Sequence, residues 1–276
     1  MHSLAPLKRI GIPEAKILVD VRGITIEETT QFNSVNFVFR KIKSINTRSA
    51  FFSLKRFNHI SVVSEDLRKY LLKKIPSASN AKIYVTPCLS GFSFKYDQMK
   101  RKGIREKLNI GEEDLVFVFS SGGTALWQAN DAIRQFAEKG HKVINLSKLQ
   151  VIHSKIMNCF VPYKEVPAYL SAADIAMIIR KPSIVNKVAS PVKFSEYVCC
   201  GLPVISNGNV EMINGYIEST GHGMILPDIN NLKHKDIDKL RSISRPDISR
   251  TGQARFSVDK ISKDYLSIYR GMLKGR

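Results

Sequence analysis

Short apolar runs alternate with amphipathic ones along nearly the whole chain. Lys16–Val21, Ile60–Val63, Lys82–Val85, Leu115–Phe119, Lys142–Leu146, Cys159–Val161, Ile175–Ile178, Pro203–Ile205 and Gly223–Leu226 are each the length of one strand and bounded by polar or turn residues. Helical spacing fills several of the gaps. Glu65–Lys74 places Leu67, Tyr70 and Leu71 on one side, and Asn130–Lys139, Val166–Ala172 and Ser190–Cys200 follow the same logic. Near the carboxyl end, Phe256, Ile261, Tyr265, Ile268, Tyr269 and Met272 recur at helical intervals and predict one long amphipathic helix over Ala254–Leu273. Strands alternating with helices predict an α/β protein whose parallel sheets are flanked by helices.

The rhythm is interrupted once. The stretch TPCLSGFSFKYDQMKRKG mixes Pro, Gly, Ser and charge and reads as an interdomain connection. A chain of 276 residues suits two domains. The expected division is a partial domain over 1–90, a connection over 91–103, a second domain over 104–250 and a terminal helix over 251–276.

Composition adds a charge asymmetry. The net charge is +19, with 21 basic against 8 acidic residues up to position 110 and 22 against 16 beyond it. A positive field of this kind favours phosphorylated ligands, anionic lipid or nucleic acid. Thr29–Ser64 concentrates it: Arg40, Lys41, Lys43, Arg48, Lys55 and Arg56 alternate with Phe32, Phe37, Phe39, Phe51, Phe52 and Phe57, and the segment has no acidic residue. A solvated basic helix face, a membrane-surface segment and a single-strand nucleic-acid platform all fit this pattern. No apolar run approaches the ~18 residues of a membrane span, and the opening residues lack a signal-peptide core, so the expected address is the cytoplasm. Cys88, Cys159, Cys199 and Cys200 have no metal-ligand spacing and read as reduced, small apolar residues.

The segment SPVKFSEYVCCGLPVI resembles the signature of the family-4 type retaining glycosyltransferases of polysaccharide biosynthesis, which have the GT-B fold of two Rossmann-like domains. VPAYLSAADIAMIIRK resembles the helix, Ala-Asp and strand that precede that signature. REKLNIGEEDLVFVFSSGGTALWQ, HISVVSEDLRKYL, AKILVDVRGITIEE and FSVDKISKDYLSIY are similar to further family segments. The resemblance implies a nucleotide diphosphate sugar as donor and a glycan or lipid-linked acceptor. It also implies an acceptor-side domain over 1–90, a nucleotide-sugar-binding domain over 104–250 and a crossing helix over 251–276. Too few residues precede the first strand for a whole acceptor domain. That domain is therefore expected to be incomplete, with weak or absent turnover in an isolated chain of this length. Members also place two glutamates eight positions apart; Glu196 matches the second, and the first falls on Val188.

The candidate chemistry gathers around these motifs. Ser190 suits an N-cap and Pro191 a first helical position, and the free N–H groups of such a helix start attract a diphosphate. Lys193 in the first turn opposes the helix dipole unless an anion lies nearby. Lys193 and Glu196, three residues apart, share a face and form either a phosphate and ribose contact or a plain ion pair on a solvated face; the ribose role of Glu196 is implied by the resemblance. Arg180 and Asn186 follow a strand end, where open parallel sheets bind ligands. Gly122 and Gly123 permit close backbone approach or simply a tight turn. Glu211 is a sugar ligand or a helix-start acid. Trp127 reads as a core residue in preference to a base-stacking one. Arg180 and Lys193 are the expected catalytic groups, with Gly122, Gly123, Asn186, Ser190, Lys193, Glu196 and Glu211 as donor contacts. No metal or other cofactor is expected, and neither is nucleic acid as a partner. Peripheral contact with an anionic membrane through residues 35–57 is the expected extra interaction. The alternative is a catalytically incomplete nucleotide- or polyanion-binding module that assists a full-length partner.

Overall fold

In the computed structural model, residues 17–24, 27–28, 51–121 and 131–274 are described. In chain order the elements begin β1 (Leu18–Val21), β2 (His59–Val62), α1 (Glu65–Lys74), β3 (Lys82–Val85), α2 (Gln98–Lys107), β4 (Val116–Ser121), α3 (Asp131–Glu138), β5 (Lys142–Ser147) and β6 (Ile156–Asn158). They continue with α4 (Val166–Ala172), β7 (Ile175–Ile178), α5 (Ile184–Lys187), α6 (Val192–Cys199), β8 (Val204–Ser206), α7 (Glu211–Thr220), β9 (Gly223–Ile225), α8 (His234–Arg241), α9 (Arg245–Phe256) and α10 (Val258–Lys274). Two units result. One holds the described residues of Met1–Pro87, Ser183–Ser190 and Ser262–Arg276, the other those of Cys88–Pro182 and Pro191–Ile261.

In the smaller unit β1, β2 and β3 form a parallel sheet in that order. Val19, Val21, Ile60 and Val62 are buried. Asp20, Ser61 and Tyr84 lie in register on the opposite face. Ser64 caps α1 by accepting the Leu67 N–H at 3.0 Å, and its hydroxyl donates to the Val188 carbonyl at 2.6 Å. Acids in the first turn of α1 and lysines in its last turn complement the helix dipole.

The larger unit is a six-stranded parallel sheet in the order β6-β5-β4-β7-β8-β9. All six residues of β4 are buried, as expected for a parallel strand covered on both faces. Alternate residues serve different cores. Val116, Val118, Ala176 and Ile178 join Leu170, Phe194, Tyr197, Ile213 and Phe256 on one face. Phe117, Phe119, Ile175 and Met177 join Ile133, Phe136, Ile237 and Leu240 on the other. The chain therefore has the expected α/β architecture of parallel sheets flanked by helices. All four cysteines are free thiols, and among the described residues no helix is long and apolar enough to cross a membrane.

Three local expectations are corrected. The strand assigned to Cys159–Val161 lies instead at Ile156–Asn158: Ile156 is buried against the sheet, whereas Phe160 is 60% exposed, and the Cys159 N–H makes the last ladder bond, to Asn145. The single helix over Ala254–Leu273 is two helices. Ser257 is extended (φ −67°, ψ 156°) and its hydroxyl oxygen accepts the Lys260 N–H, so it starts α10 afresh although the apolar spacing runs on across the break. The helix expected from Ser190 starts at Val192. Pro191, at ψ 124°, is its N-cap, with no side-chain cap, so Ser190 does not cap it and Pro191 is not its first residue.

The signature glycine Gly201 has φ +71°, and a Cβ there would lie 2.6 Å from the Arg245 carbonyl oxygen. Gly252 is under similar pressure: its Cβ would meet the Val198 carbonyl group at 2.7 Å and the Cys199 nitrogen at 2.8 Å. α9 thus lies backbone-to-backbone on α6. Gly252→Ala is expected to push the helices apart and cost about 1–3 kcal/mol, the range for overpacking a tight core. A denaturant midpoint equal to the parent's would refute this close contact.

Candidate functional site

The order of the larger sheet defines where a ligand belongs. From β4 the chain winds one way through β5 and β6, then returns to β7 and winds the other way through β8 and β9. The connections leaving the carboxyl ends of β4 and β7 diverge there, which is where doubly wound sheets bind ligands.

Arg180 stands two residues beyond the end of β7. Its backbone is held from both sides: its N–H donates to Asn207 Oδ1 at 3.1 Å, and its carbonyl accepts from Asn207 Nδ2 and Asn209 Nδ2, both at 2.8 Å. These side chains leave the end of β8, so two neighbouring strands fix one arginine. Burial pulls its guanidinium pKa down to about 10, opposed only in part by nearby Tyr197. The group is still charged at neutral pH. Among the described residues no carboxylate pairs with it.

Helix α6 is tied to the same sheet end. The Ser120 N–H, at the end of β4, donates to Tyr197 Oη at 2.7 Å. Burial drives the Tyr197 hydroxyl far above the ordinary phenol range; the Ser120 bond and Arg180 work against this, and Glu196 adds to it. Tyr197 therefore feels Arg180 and Glu196 together, which brings both to one neighbourhood. Ser195, next to Glu196 on α6, donates to the Cys88 carbonyl at 2.6 Å.

Lys193 and Glu196 meet as their spacing predicts, Nζ to Oε2 at 2.8 Å. The solvated face does not exist, however. The Glu196 side chain is 1% exposed and that of Lys193 22%. Tyr163 completes the arrangement, its hydroxyl donating to Glu196 Oε1 at 3.1 Å while Lys193 Nζ lies 5.8 Å from its ring centroid. Burial raises the Glu196 carboxyl pKa, with the Lys193 charge and the two hydrogen bonds opposing. Burial and the adjacent Glu196 charge push the Tyr163 phenol up to about 12.

The remaining candidates have local partners, belong to the smaller unit or fall outside the described residues. Glu211 is the first residue of α7, where its charge suits the helix start, and Asn214 Nδ2 reaches both the Gly208 carbonyl (2.9 Å) and Glu211 Oε2 (3.4 Å). Asn186 and Ser190 belong to the smaller unit; Asn186 is buried and its N–H is capped by Ser183 Oγ at 3.1 Å. Gly122, Gly123 and Trp127 lie outside the described residues, as do residues 35–50 of the basic aromatic segment. Of the rest of that segment, Phe51, Leu54 and Phe57 are buried and Phe52 is exposed. Among the described residues no group of three or more His, Cys, Asp and Glu side chains is arranged to hold a metal ion. Sequence reasoning missed Tyr163, Asn207 and Tyr197. Only Tyr197 left a trace: a tyrosine on the buried side of a helix needs a partner for its hydroxyl.

No protein-family model matches the sequence, and no curated protein does. Solved structures do. Sucrose-phosphate synthase from Thermosynechococcus elongatus superposes with a TM-score of 0.71 at 15% identity, over 99% of this chain and 71% of that one. WaaG, a glycosyltransferase involved in lipopolysaccharide biosynthesis, gives 0.66 at 15% identity, over 92% and 75%. HepE from Anabaena, in complex with UDP and glucose, gives 0.62 at 14% identity, over 91% and 70%. The chain therefore has the fold of the GT-B glycosyltransferases, with two Rossmann-like units of parallel sheet and flanking helices.

Proposed function

We propose that this protein is a retaining, metal-independent glycosyltransferase of polysaccharide biosynthesis, moving a sugar from a nucleotide diphosphate donor to a glycan or lipid-linked acceptor. The observation that carries this reading is Arg180: a partly buried cation without a carboxylate partner among the described residues, fixed at the switch point of a parallel sheet. Such a group suits an anionic ligand. The fold likeness adds weight, since the neighbour HepE was solved with UDP-glucose. The donor diphosphate would lie against Arg180, Lys193 and the start of α6, and the ribose would reach Glu196. As the bond to the sugar breaks, negative charge grows on the departing diphosphate, and these fixed positive groups stabilise it without reorganising. The smaller unit would serve the acceptor, and residues 35–57 an anionic membrane surface on the cytoplasmic side.

A thermal-shift panel of UDP, GDP, ADP and their sugars tests the donor reading. One nucleotide should raise the melting temperature; at a hundred times its Kd the gain is about 2.7 kcal/mol. Lys193→Ala and Glu196→Ala should lose the shift. No shift with any nucleotide would sink the proposal.

A second reading has its own observation. Val188 stands where the resemblance places the first glutamate, and it is buried with its carbonyl engaged by Ser64. A chain lacking that sugar contact would bind nucleotide without turnover. Incubation with labelled donor and acceptor, with and without chelator, separates the two.

A further inference from the structure

Both oxygens of the Glu196 carboxylate are occupied, Oε1 by Tyr163 Oη at 3.1 Å and Oε2 by Lys193 Nζ at 2.8 Å, and the side chain is 1% exposed. Each oxygen keeps a second lone pair, but with the side chain 1% exposed a ligand hydroxyl reaches it only by moving one of these two partners aside. Lys193 is costly to displace, because it neutralises a buried charge. Tyr163 is not: it is uncharged, 55% exposed, and carried on a short 3-10 turn, Tyr163–Glu165. Its ring rests against Phe94 with centroids 5.2 Å apart, and the Gly91 N–H faces its hydroxyl. This leaves the phenol positioned from one side and open to solvent on the other.

Resting on the donor-site reading above, we infer that Tyr163 is a specificity-determining plug, its hydroxyl standing in for a ribose hydroxyl at Glu196 Oε1 and giving way when a ribonucleotide binds. A ligand with a ribose diol exchanges the Tyr163 hydrogen bond at Oε1 for its own, whereas one without it gains nothing there and leaves the Tyr163 bond in place. Tyr163 thus lowers affinity for ribonucleotides and narrows the gap between them and forms lacking the diol.

Tyr163→Phe keeps the ring against Phe94 and removes the competing hydroxyl. Calorimetric titration with UDP, GDP and ADP, each beside its 2′,3′-dideoxy counterpart, is the test. In Tyr163→Phe the Kd of the preferred ribonucleotide should fall about tenfold and that of its dideoxy form should change by less than twofold. In Glu196→Gln the two forms should bind alike. Equal gains for ribo and dideoxy forms, or no gain in Tyr163→Phe while Glu196→Gln still weakens the ribonucleotide, would overturn the plug and leave the donor site standing. Absence of binding by every nucleotide to the parent protein would overturn the donor reading and the plug together.

Discussion

Arg180→Ala is expected to reduce transferase turnover by two to three orders of magnitude and to leave the protein as stable as the parent or more so. The two effects share one cause. A charged guanidinium held near apolar strand ends without a carboxylate partner among the described residues loses hydration that the fold does not return. Its pKa, lowered to about 10, records that cost. Losing one preorganised charge-stabilising group at a developing anion typically lowers kcat by about 10²–10³. Relieving a desolvated cation, by contrast, tends to be neutral or stabilising. The sign with pH follows. A base whose folded pKa lies below its unfolded value destabilises the fold fully at pH below both values. The penalty fades only as pH rises past about 10. The difference in melting temperature between Arg180→Ala and parent should therefore be flat from about pH 6 to 9. Parent-like turnover in the variant, or a large loss of stability, would refute the role given to Arg180.

How far the sequence discloses such residues depends on whether their role is local. The strand ending before Arg180 was legible because five apolar residues precede a charged loop, and the parallel-sheet rule then gave the arginine its address. The Lys193 and Glu196 pairing was legible because three-residue spacing on a helix fixes a shared face. Its burial was not, because Tyr163 comes from a different segment, thirty-three residues earlier in the chain, with no motif around it. The start of α6 was misread because Ser190-Pro191 satisfies local preferences for a cap and a first residue, yet the backbone at Pro191 is still extended. The break at Ser257 was hidden because two helices in succession kept one apolar period. Local chemistry was readable in each case; which partner it meets was not.

Asp174→Ala is expected to be the most destabilising substitution in the larger unit. The carboxylate accepts the Val116 N–H at 2.8 Å and Arg101 Nη2 at 2.6 Å, with Arg105 Nη1 at 3.5 Å. Its side chain is 10% exposed and that of Arg105 only 6%. Arg105 also donates to the carbonyls of Ala172 and Asp114, and Arg245 to those of Ser171 and Ala173. Three guanidinium groups thus surround the end of α4, and Asp174 is the carboxylate that Arg101 and Arg105 share. Removing it leaves buried cations uncompensated, at a cost of about 3–5 kcal/mol, or a fall in melting temperature on the order of 10 °C. Asp174→Asn keeps an acceptor for Val116 and should lose less. A melting temperature within about 2 °C of the parent for Asp174→Ala would defeat this reading. The contrast with Arg180 is positional. Both flank β7, Asp174 just before its first residue and Arg180 just past its last. At the amino end, the charge is paired and hydrogen-bonded to the start of β4, so it serves the fold. At the carboxyl end, the charge is left without a carboxylate partner among the described residues, and it is there that a diphosphate would complete the pairing.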